Sequence, residues 1–223
     1  MHDLGIQVLL NPQNIQRLLE GLFTSFYIAF ISIIASTILG IIMGVLMSSA
    51  YRPIRIILKC YLEFIRIMPT LVLLFIGYFE LTKVFHIQIP AEIISIGVFT
   101  FWGTAEMGDL IRGAISSLPK HQKESGLAIG LSTIQVYRYI ILPQILKRVL
   151  PSAINLSTRM IKTTSLIVLI GVVDILKVGQ QIIEVSILKN PMASFWIYAF
   201  IFFLYFIICY PISQGAKYLE KRF

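Results

Sequence analysis

The stretch "GLFTSFYIAFISIIASTILGIIMGVLMSSAY", residues 21–51, contains no formally charged residue. As an α-helix it would be about 45 Å long at about 1.5 Å per residue, which exceeds the ~30 Å hydrocarbon core of a bilayer. Residues 190–216 form a second uncharged apolar run. Two such runs in one chain indicate helices that cross a membrane.

The composition favours the same class of protein. Hydrophobic residues make up 57% of the chain and charged residues 13%, whereas a soluble domain carries about 25% charged residues. The net charge of +8 does not indicate nucleic-acid binding, because the basic residues lie between apolar runs and form no single basic tract. Basic loops beside membrane spans follow instead from the orientation rule for cytoplasmic loops.

Three shorter apolar segments, 67–79, 93–105 and 163–173, complete the pattern when they are extended over their polar neighbours. We expect an all-α integral membrane protein with five transmembrane helices in a single domain, 1–223. The predicted spans are approximately 21–49, 60–82, 90–117, 152–178 and 190–216. Charged groups in the inner three spans are tolerated where they face a bundle interior or a watery cavity.

The distribution of lysine and arginine predicts the orientation. Most of these residues lie in the 50–66 link, the 112–148 link and the C-terminal tail. Since cytoplasmic loops are enriched in lysine and arginine, we expect a multi-pass protein of the cell membrane with its N-terminus outside and its C-terminus in the cytoplasm.

A stripe of small residues marks the first span. Ser32, Ser36, Gly40 and Gly44 recur every four residues, a spacing that lets another helix approach closely. We expect this face to pack against another helix of the assembly. The alternative is a chance run of small residues on a lipid-facing surface.

The segment 119–145 carries readable helix signals. Pro119 suits a helix start, and Gly130 is placed to end that helix. Ser132 and Gln135 match a capping box at the start of a second helix, which Pro143 is expected to end. The prediction is an ordered pair of short helices on the cytoplasmic side.

Apolar side chains of these short helices need to be covered by something. They are Leu127, Ile129, Leu131, Ile134, Tyr137 and Ile141. The protein's own spans could cover them, or a soluble partner could grasp a projecting helix in a groove. The sequence leaves both alternatives open.

The same segment resembles the EAA loop of ABC-importer permeases. In "ESGLAIG…IILP" the residues at the matching offsets are Glu124, Gly130, Ile140, Leu142 and Pro143. Ser125 and Gly126 stand where alanines are usual, and both replacements are small. The resemblance implies that Glu124, Ser125, Gly126, Gly130, Leu142 and Pro143 couple the chain to an ATPase.

Three further stretches resemble the polar amino-acid permeases of the histidine and glutamine type: "RGAISSLPKHQKES", "YLEFIRIMPTLVLLF" and "KTTSLIVLIGVVDIL". The resemblance implies type I ABC importer architecture and a pore subunit of an ATP-driven importer for a polar amino acid or derivative. It also implies several partners. These are cytoplasmic ABC ATPase subunits, a second permease subunit as homodimer or related chain, and an extracytoplasmic substrate-binding protein.

Two absences bear on catalysis. The sequence has no G-x-x-x-x-G-K-[ST] loop to hold ATP phosphates, and its histidines and cysteines lack metal-site spacing. We therefore expect no enzyme activity, cofactor or metal in this chain, and we expect ATP and Mg²⁺ on the partner ATPase.

Polar residues of the inner spans are candidates for the substrate path, because ionisable groups inside a membrane are functional by default. They are Glu63, Arg66, Glu106, Asp109, Arg112, Lys162 and Ser165. An acid at 106 would favour a cationic group such as a substrate ammonium. The alternative for the 106–112 triplet is an intrahelical ion pair near the end of the span.

A second function fits the residues without the resemblance. A self-sufficient secondary transporter or channel would need no ATPase, and the 119–145 segment would then be internal scaffold. Retention of an ATPase subunit on purification separates the two functions.

Overall fold

The computed structural model describes residues 6–49 and 51–222, and of Phe85, Lys120 and Arg222 only the backbone. The predicted single domain, 1–223, extends beyond the described residues at both ends. Over this described part the chain is helical and has no strand.

Eleven α-helices follow one another through the described residues. They are α1 (Gln7–Leu10), α2 (Pro12–Met47), α3 (Arg52–Ile67), α4 (Thr70–Phe75), α5 (Leu81–Phe85), α6 (Ala91–Ser116), α7 (Lys120–Ala128), α8 (Thr133–Val136), α9 (Leu142–Thr163), α10 (Ile175–Ser186) and α11 (Ala193–Arg222). Ile76–Glu80 and Tyr137–Ile141 are π-helical turns, and Thr164–Ile170 is a 3₁₀ helix.

By length and hydropathy, three of the described helical segments could cross a membrane: Pro12–Met47, Thr133–Ile170 and Ala193–Lys221. A fourth results if the bent pair Arg52–Ile67 and Thr70–Val84 counts as one span. The all-helical membrane class is thus confirmed, while five spans is an approximate count. The span predicted near 90–117 is a helix in the structure, α6, but it is not among these candidate membrane segments of the described residues.

The helix predicted over 60–82 is wrong as a continuous element. The 50–66 link is itself helical, α3, and the chain then bends by 103° before α4. Pro69 is the cause, because a proline forces the preceding residue out of the helical region. Met68 accordingly has extended torsions, with φ −77° and ψ 128°.

The helix predicted over 152–178 is also wrong in its bounds. It starts much earlier, and after the 3₁₀ helix the chain breaks at Gly171, whose φ of +89° is left-handed and favours glycine. Asp174 then begins α10 by accepting a hydrogen bond from the Lys177 backbone N–H at 2.9 Å, as a helix N-cap does.

Pro143 does not end the second short helix, contrary to the sequence prediction. The helix continues from α8 through the turn Tyr137–Ile141 into α9. In that turn the Leu142 N–H donates to the Tyr137 carbonyl five residues back. Pro143 follows immediately inside this continuing helix, where the i, i+5 hydrogen bonding of the turn before it accommodates a residue without an N–H.

By its internal contacts the chain separates into two compact units. Unit 1 comprises Met1–Ser32, Thr70–Val98 and Thr158–Pro211; unit 2 comprises Ile33–Pro69, Phe99–Ser157 and Ile212–Phe223. In unit 1 a core of aliphatic side chains joins α2, α10 and α11, with Leu18, Ile175 and Ile197 fully buried. Gly21 lies so close to the start of α10 that a Cβ there would be 2.8 Å from the Asp174 backbone.

Unit 2 positions the site described below. It holds α3, α7, α8 and parts of α2, α6, α9 and α11. α3 contacts α6 where the Tyr61 hydroxyl donates to the Phe101 carbonyl at 2.5 Å and the two rings lie 4.8 Å apart.

Candidate functional site

The segment from α7 to α8 forms a hairpin of two short helices. Pro119 precedes α7 in an extended conformation, and Gly130 follows it with a left-handed φ of +87°. The Leu131 N–H donates to the Gly126 carbonyl at 3.2 Å, so the carbonyls left open at the end of α7 find a donor. The predicted glycine stop is confirmed.

The capping box at the start of α8 is also confirmed. The Gln135 N–H donates to the Ser132 hydroxyl at 3.3 Å, and the Ser132 N–H donates to the Gln135 side-chain oxygen at 2.8 Å. Two backbone donors that the helix leaves unused are thereby satisfied, so the hairpin has a defined second arm.

Gly126 is the contact point between the two arms. It is buried, and a Cβ there would lie 2.9 Å from Val136 Cγ2 and 3.0 Å from Ile140 Cδ1. The absence of a side chain therefore lets α7 lie closer to the π-helical turn. This contact accounts for glycine where alanine was the usual residue of the resemblance.

The hairpin covers only some of its own apolar side chains. Ile141 is buried and Tyr137 is half-buried, whereas Ile129 and Ile134 are 76% and 79% exposed. Glu124 and Ser125 are exposed on α7. The chain therefore covers some of these apolar side chains itself and leaves others exposed among the described residues.

A chain of ionic contacts connects α3 to α6. Arg66 Nη1 lies 3.8 Å from Glu63 on its own helix, and Arg66 Nη2 donates to Asp109 on α6. Arg112 donates to the same carboxylate, from Nη2 at 2.6 Å and from Nε at 2.9 Å. The structure thus brings four of the predicted polar residues together in unit 2, including the intrahelical pair weighed as an alternative.

The remaining candidates are placed differently. Glu106 is half-buried on α6, one turn before Asp109. Lys162 and Ser165 belong to unit 1. There Lys162 is exposed, and the Ser165 hydroxyl donates to the Lys162 carbonyl at 2.9 Å.

The small-residue stripe of α2 contacts α6 of the same chain. A Cβ on Gly40 would lie 2.5 Å from Met107 Cβ, and one on Gly44 would lie 2.5 Å from Ile111 Cβ. Ser32 is fully buried and its hydroxyl lies 3.4 Å from the Ile96 carbonyl. Ser36 is buried and donates within its own helix.

Sequence reasoning missed the role of α3. The sequence prediction took residues 50–66 for a link between spans, so it did not connect Arg55 and Lys59 with the ionic contacts of α6. In the structure both residues line one cavity with Arg66 and Arg112. The basic residues of this stretch are spaced three and four apart, a spacing that places side chains on one face of a helix and could have predicted α3.

Among the described residues, no group of three or more His, Cys, Asp or Glu side chains is arranged to hold a metal ion. Cys60 is exposed and Cys209 is buried, and both are free thiols.

The fold is that of solved ABC importer permeases. An amino acid ABC transporter solved with histidines matches with a TM-score of 0.83 at 24% identity, covering 95% of this chain and 96% of that chain. The MetNI methionine ABC transporter, in an inward facing conformation, matches with a TM-score of 0.73 at 16% identity, covering 95% and 98%. At these identities the likeness shows the fold alone.

Sequence relatives extend the comparison. A probable glutamine ABC transporter permease protein of Bacillus subtilis (strain 168) is 29% identical over 212 residues, 95% of this chain and 96% of the relative. A glutamine transport system permease protein of Escherichia coli (strain K12) is 32% identical over 163 residues, 73% and 72% of the two chains.

The family model described as binding-protein-dependent transport system inner membrane component matches residues 36–223. The chain belongs to this family, as the sequence resemblance predicted. It is a membrane permease subunit of an ABC transporter, and ATP hydrolysis belongs to a separate subunit. The family gives no support to a self-sufficient secondary transporter or channel.

Proposed function

We propose that this subunit lines the pore of an importer for a polar amino acid or an amino-acid derivative. The relatives named for glutamine and the solved amino acid transporter support this substrate class. The candidate path residues stay Glu63, Arg66, Glu106, Asp109, Arg112, Lys162 and Ser165. Glu106 on α6 is the acid we assign to a substrate ammonium, because an acidic group within an inner span favours a cationic group.

The coupling to ATP runs, in this proposal, through the α7–α8 hairpin. Glu124, Ser125, Gly126, Gly130, Leu142 and Pro143 form or follow the part that enters a groove of a cytoplasmic ATPase. The observation that carries the proposal is the exposure of Ile129 and Ile134 beside an exposed Glu124. A helical hairpin with uncovered apolar residues fits helix-in-groove recognition.

The assembly we propose contains two permease subunits, either two copies of this chain or this chain and a related one. ATP and Mg²⁺ bind to the ATPase subunits, and an extracytoplasmic binding protein delivers the substrate. The subunit lies in the cell membrane with its N-terminus outside and its C-terminus in the cytoplasm, as the lysine and arginine distribution favours.

Charge reversal of Glu124 tests the coupling. In the reconstituted complex we expect E124K to lower the ATPase activity that the loaded binding protein stimulates by about tenfold or more. The reason is that a mismatched charge buried in an interface costs about 2 kcal/mol or more of binding free energy. The measurement is phosphate release in proteoliposomes, with and without binding protein.

The matched control is E220K, since Glu220 is an exposed glutamate on α11 and does not belong to the hairpin segment. It should couple normally. Normal stimulation by E124K, or purification of the tagged chain without any ATPase subunit together with uptake that survives ATP depletion, would contradict the proposed function.

A further inference from the structure

A cavity of about 870 Å³ lies within unit 2, lined by residues of α3, α6, α7 and the Tyr137–Ile141 turn. Five cationic side chains line it: Arg55, Lys59, Arg66, Arg112 and Lys123. Glu63 is the single acidic residue lining it in the described part of the chain. The cavity therefore carries an excess of positive charge.

Two of the five cations are already paired. Asp109 holds both Arg66 and Arg112, and Glu63 lies beside Arg66. Within the described residues, no carboxylate lies within 4.0 Å of the charged groups of Arg55, Lys59 or Lys123. Because like charges that share a cavity repel one another, these three cations favour a bound anion.

The cavity wall has apolar as well as charged side chains, and it includes one buried polar atom that has no hydrogen-bond partner among the described residues. Ile56 lines it and is 59% exposed, and the neighbouring Ile57 on α3 is exposed as well. The side-chain oxygen of Gln122, another lining residue, is buried without a hydrogen-bond partner among the described residues. Such an oxygen needs a donor, which a hydroxyl group of a ligand would supply.

We propose that this cavity binds a phosphate-bearing anion, either the head group of an anionic lipid or soluble phosphate. Lysine and arginine are the side chains that proteins use for phosphate oxygens, and basic pockets of membrane proteins hold lipid head groups. Arg55 and Lys59 lie on α3 whereas Lys123 lies on α7, so one bound phosphate would connect α3 to the hairpin.

The lipid arm of the test uses the full chain in its complex. The purified complex is exchanged into equal amounts of phosphatidylcholine and phosphatidylglycerol, extracted in detergent and examined by native mass spectrometry. We expect one retained phosphatidylglycerol per chain. The double variant R55Q/K59Q should lower that retention about tenfold or more, because it removes two of the three cations that have no carboxylate partner among the described residues.

The matched control is R52Q/K147Q. It removes the same charge from exposed positions of α3 and α9 that do not line the cavity, and it should retain the lipid. Size-exclusion profiles and circular dichroism check that both double variants are folded.

The soluble arm is a calorimetric titration of the delipidated complex with sodium phosphate. Saturable binding that R55Q/K59Q abolishes, without any preference for phosphatidylglycerol, would assign the site to soluble phosphate. Equal retention of both lipids with no phosphate binding would overturn the proposal. So would an equal loss of binding in the two double variants, which would reduce the effect to general surface charge.

Discussion

Asp109 is the residue on which the polar chain of unit 2 depends. Its carboxylate accepts from Arg66 on α3 and from Arg112 on α6. The two short-range pairs, Glu63–Arg66 and Asp109–Arg112, could be predicted from i, i+3 spacing. Their connection through Arg66 and Asp109 spans 43 residues of sequence, and no local pattern encodes a contact at that separation.

Replacing Asp109 with asparagine should destabilise the protein. D109N leaves two guanidinium groups without their shared countercharge beside a side chain that is only 19% exposed. We expect the free energy of unfolding to fall by about 1–3 kcal/mol, measured by thermal unfolding in detergent.

The control for Asp109 is E63Q. Glu63 is half-exposed and 3.8 Å from its partner, and such pairs contribute about 0–1 kcal/mol. Equal losses in the two variants would show that Asp109 is no more important than a surface ion pair.

The close packing of helix α2 against helix α6 depends on the glycines of α2. The stripe was legible from sequence because small residues every four positions mark one helix face. The helix that packs against this stripe could not be predicted, since each of the three inner spans offered a helix surface of similar length. The structure shows that Gly40 and Gly44 meet α6 near Met107 and Ile111.

G44V tests this close approach. A Cβ at this position would meet Ile111 Cβ at 2.5 Å and the Gly108 carbonyl oxygen at 2.7 Å, so the two helices must separate. We expect a loss of about 1–3 kcal/mol, seen as a lower melting temperature in detergent.

G113A is the matched control on α6. A Cβ there would meet nothing within 4 Å, and alanine in a helix interior gains about 0.5–1 kcal/mol over glycine. The packing argument fails if G44V melts no lower than G113A.

Some helix ends could be predicted from the sequence alone and others could not. The capping box at Ser132 needs only its partner three residues on, so it was predicted correctly. The outcome at Pro143 depends on a turn with i, i+5 hydrogen bonding just before it. Nothing in the residue types of 137–141 distinguishes that turn from an ordinary helix, so the predicted stop was wrong.

For the whole molecule, hydropathy determined the class and left the span limits open. The two long uncharged runs, 21–51 and 190–216, lie within α2 and α11 and their flanking residues. They could be predicted because length and apolar content are enough to indicate a membrane helix. The inner spans were misplaced at the 103° bend and at Gly171, where a single proline or glycine overrides an apolar run.

Cysteine labelling in intact cells tests the proposed orientation. In a background with Cys60 and Cys209 replaced, Q88C between α5 and α6 should react with a membrane-impermeant maleimide. K217C on α11 should not, because the positive-inside rule places the basic C-terminal tail in the cytoplasm. Both positions are exposed, so both should react once the cells are permeabilised. Labelling of K217C before permeabilisation, with Q88C protected, would reverse the orientation.

The π-helical turn Tyr137–Ile141 holds one more residue than an ordinary helical turn, since its closing hydrogen bond runs from Leu142 back five residues. A relative one residue shorter within 137–141 would close this turn into ordinary α-helix and would still present Glu124 in nearly the same direction. The same deletion within the regular part of α9 would instead rotate the hairpin by about 100° about the helix axis. The turn is therefore the place in this helix where a change of length disturbs the direction of the hairpin least.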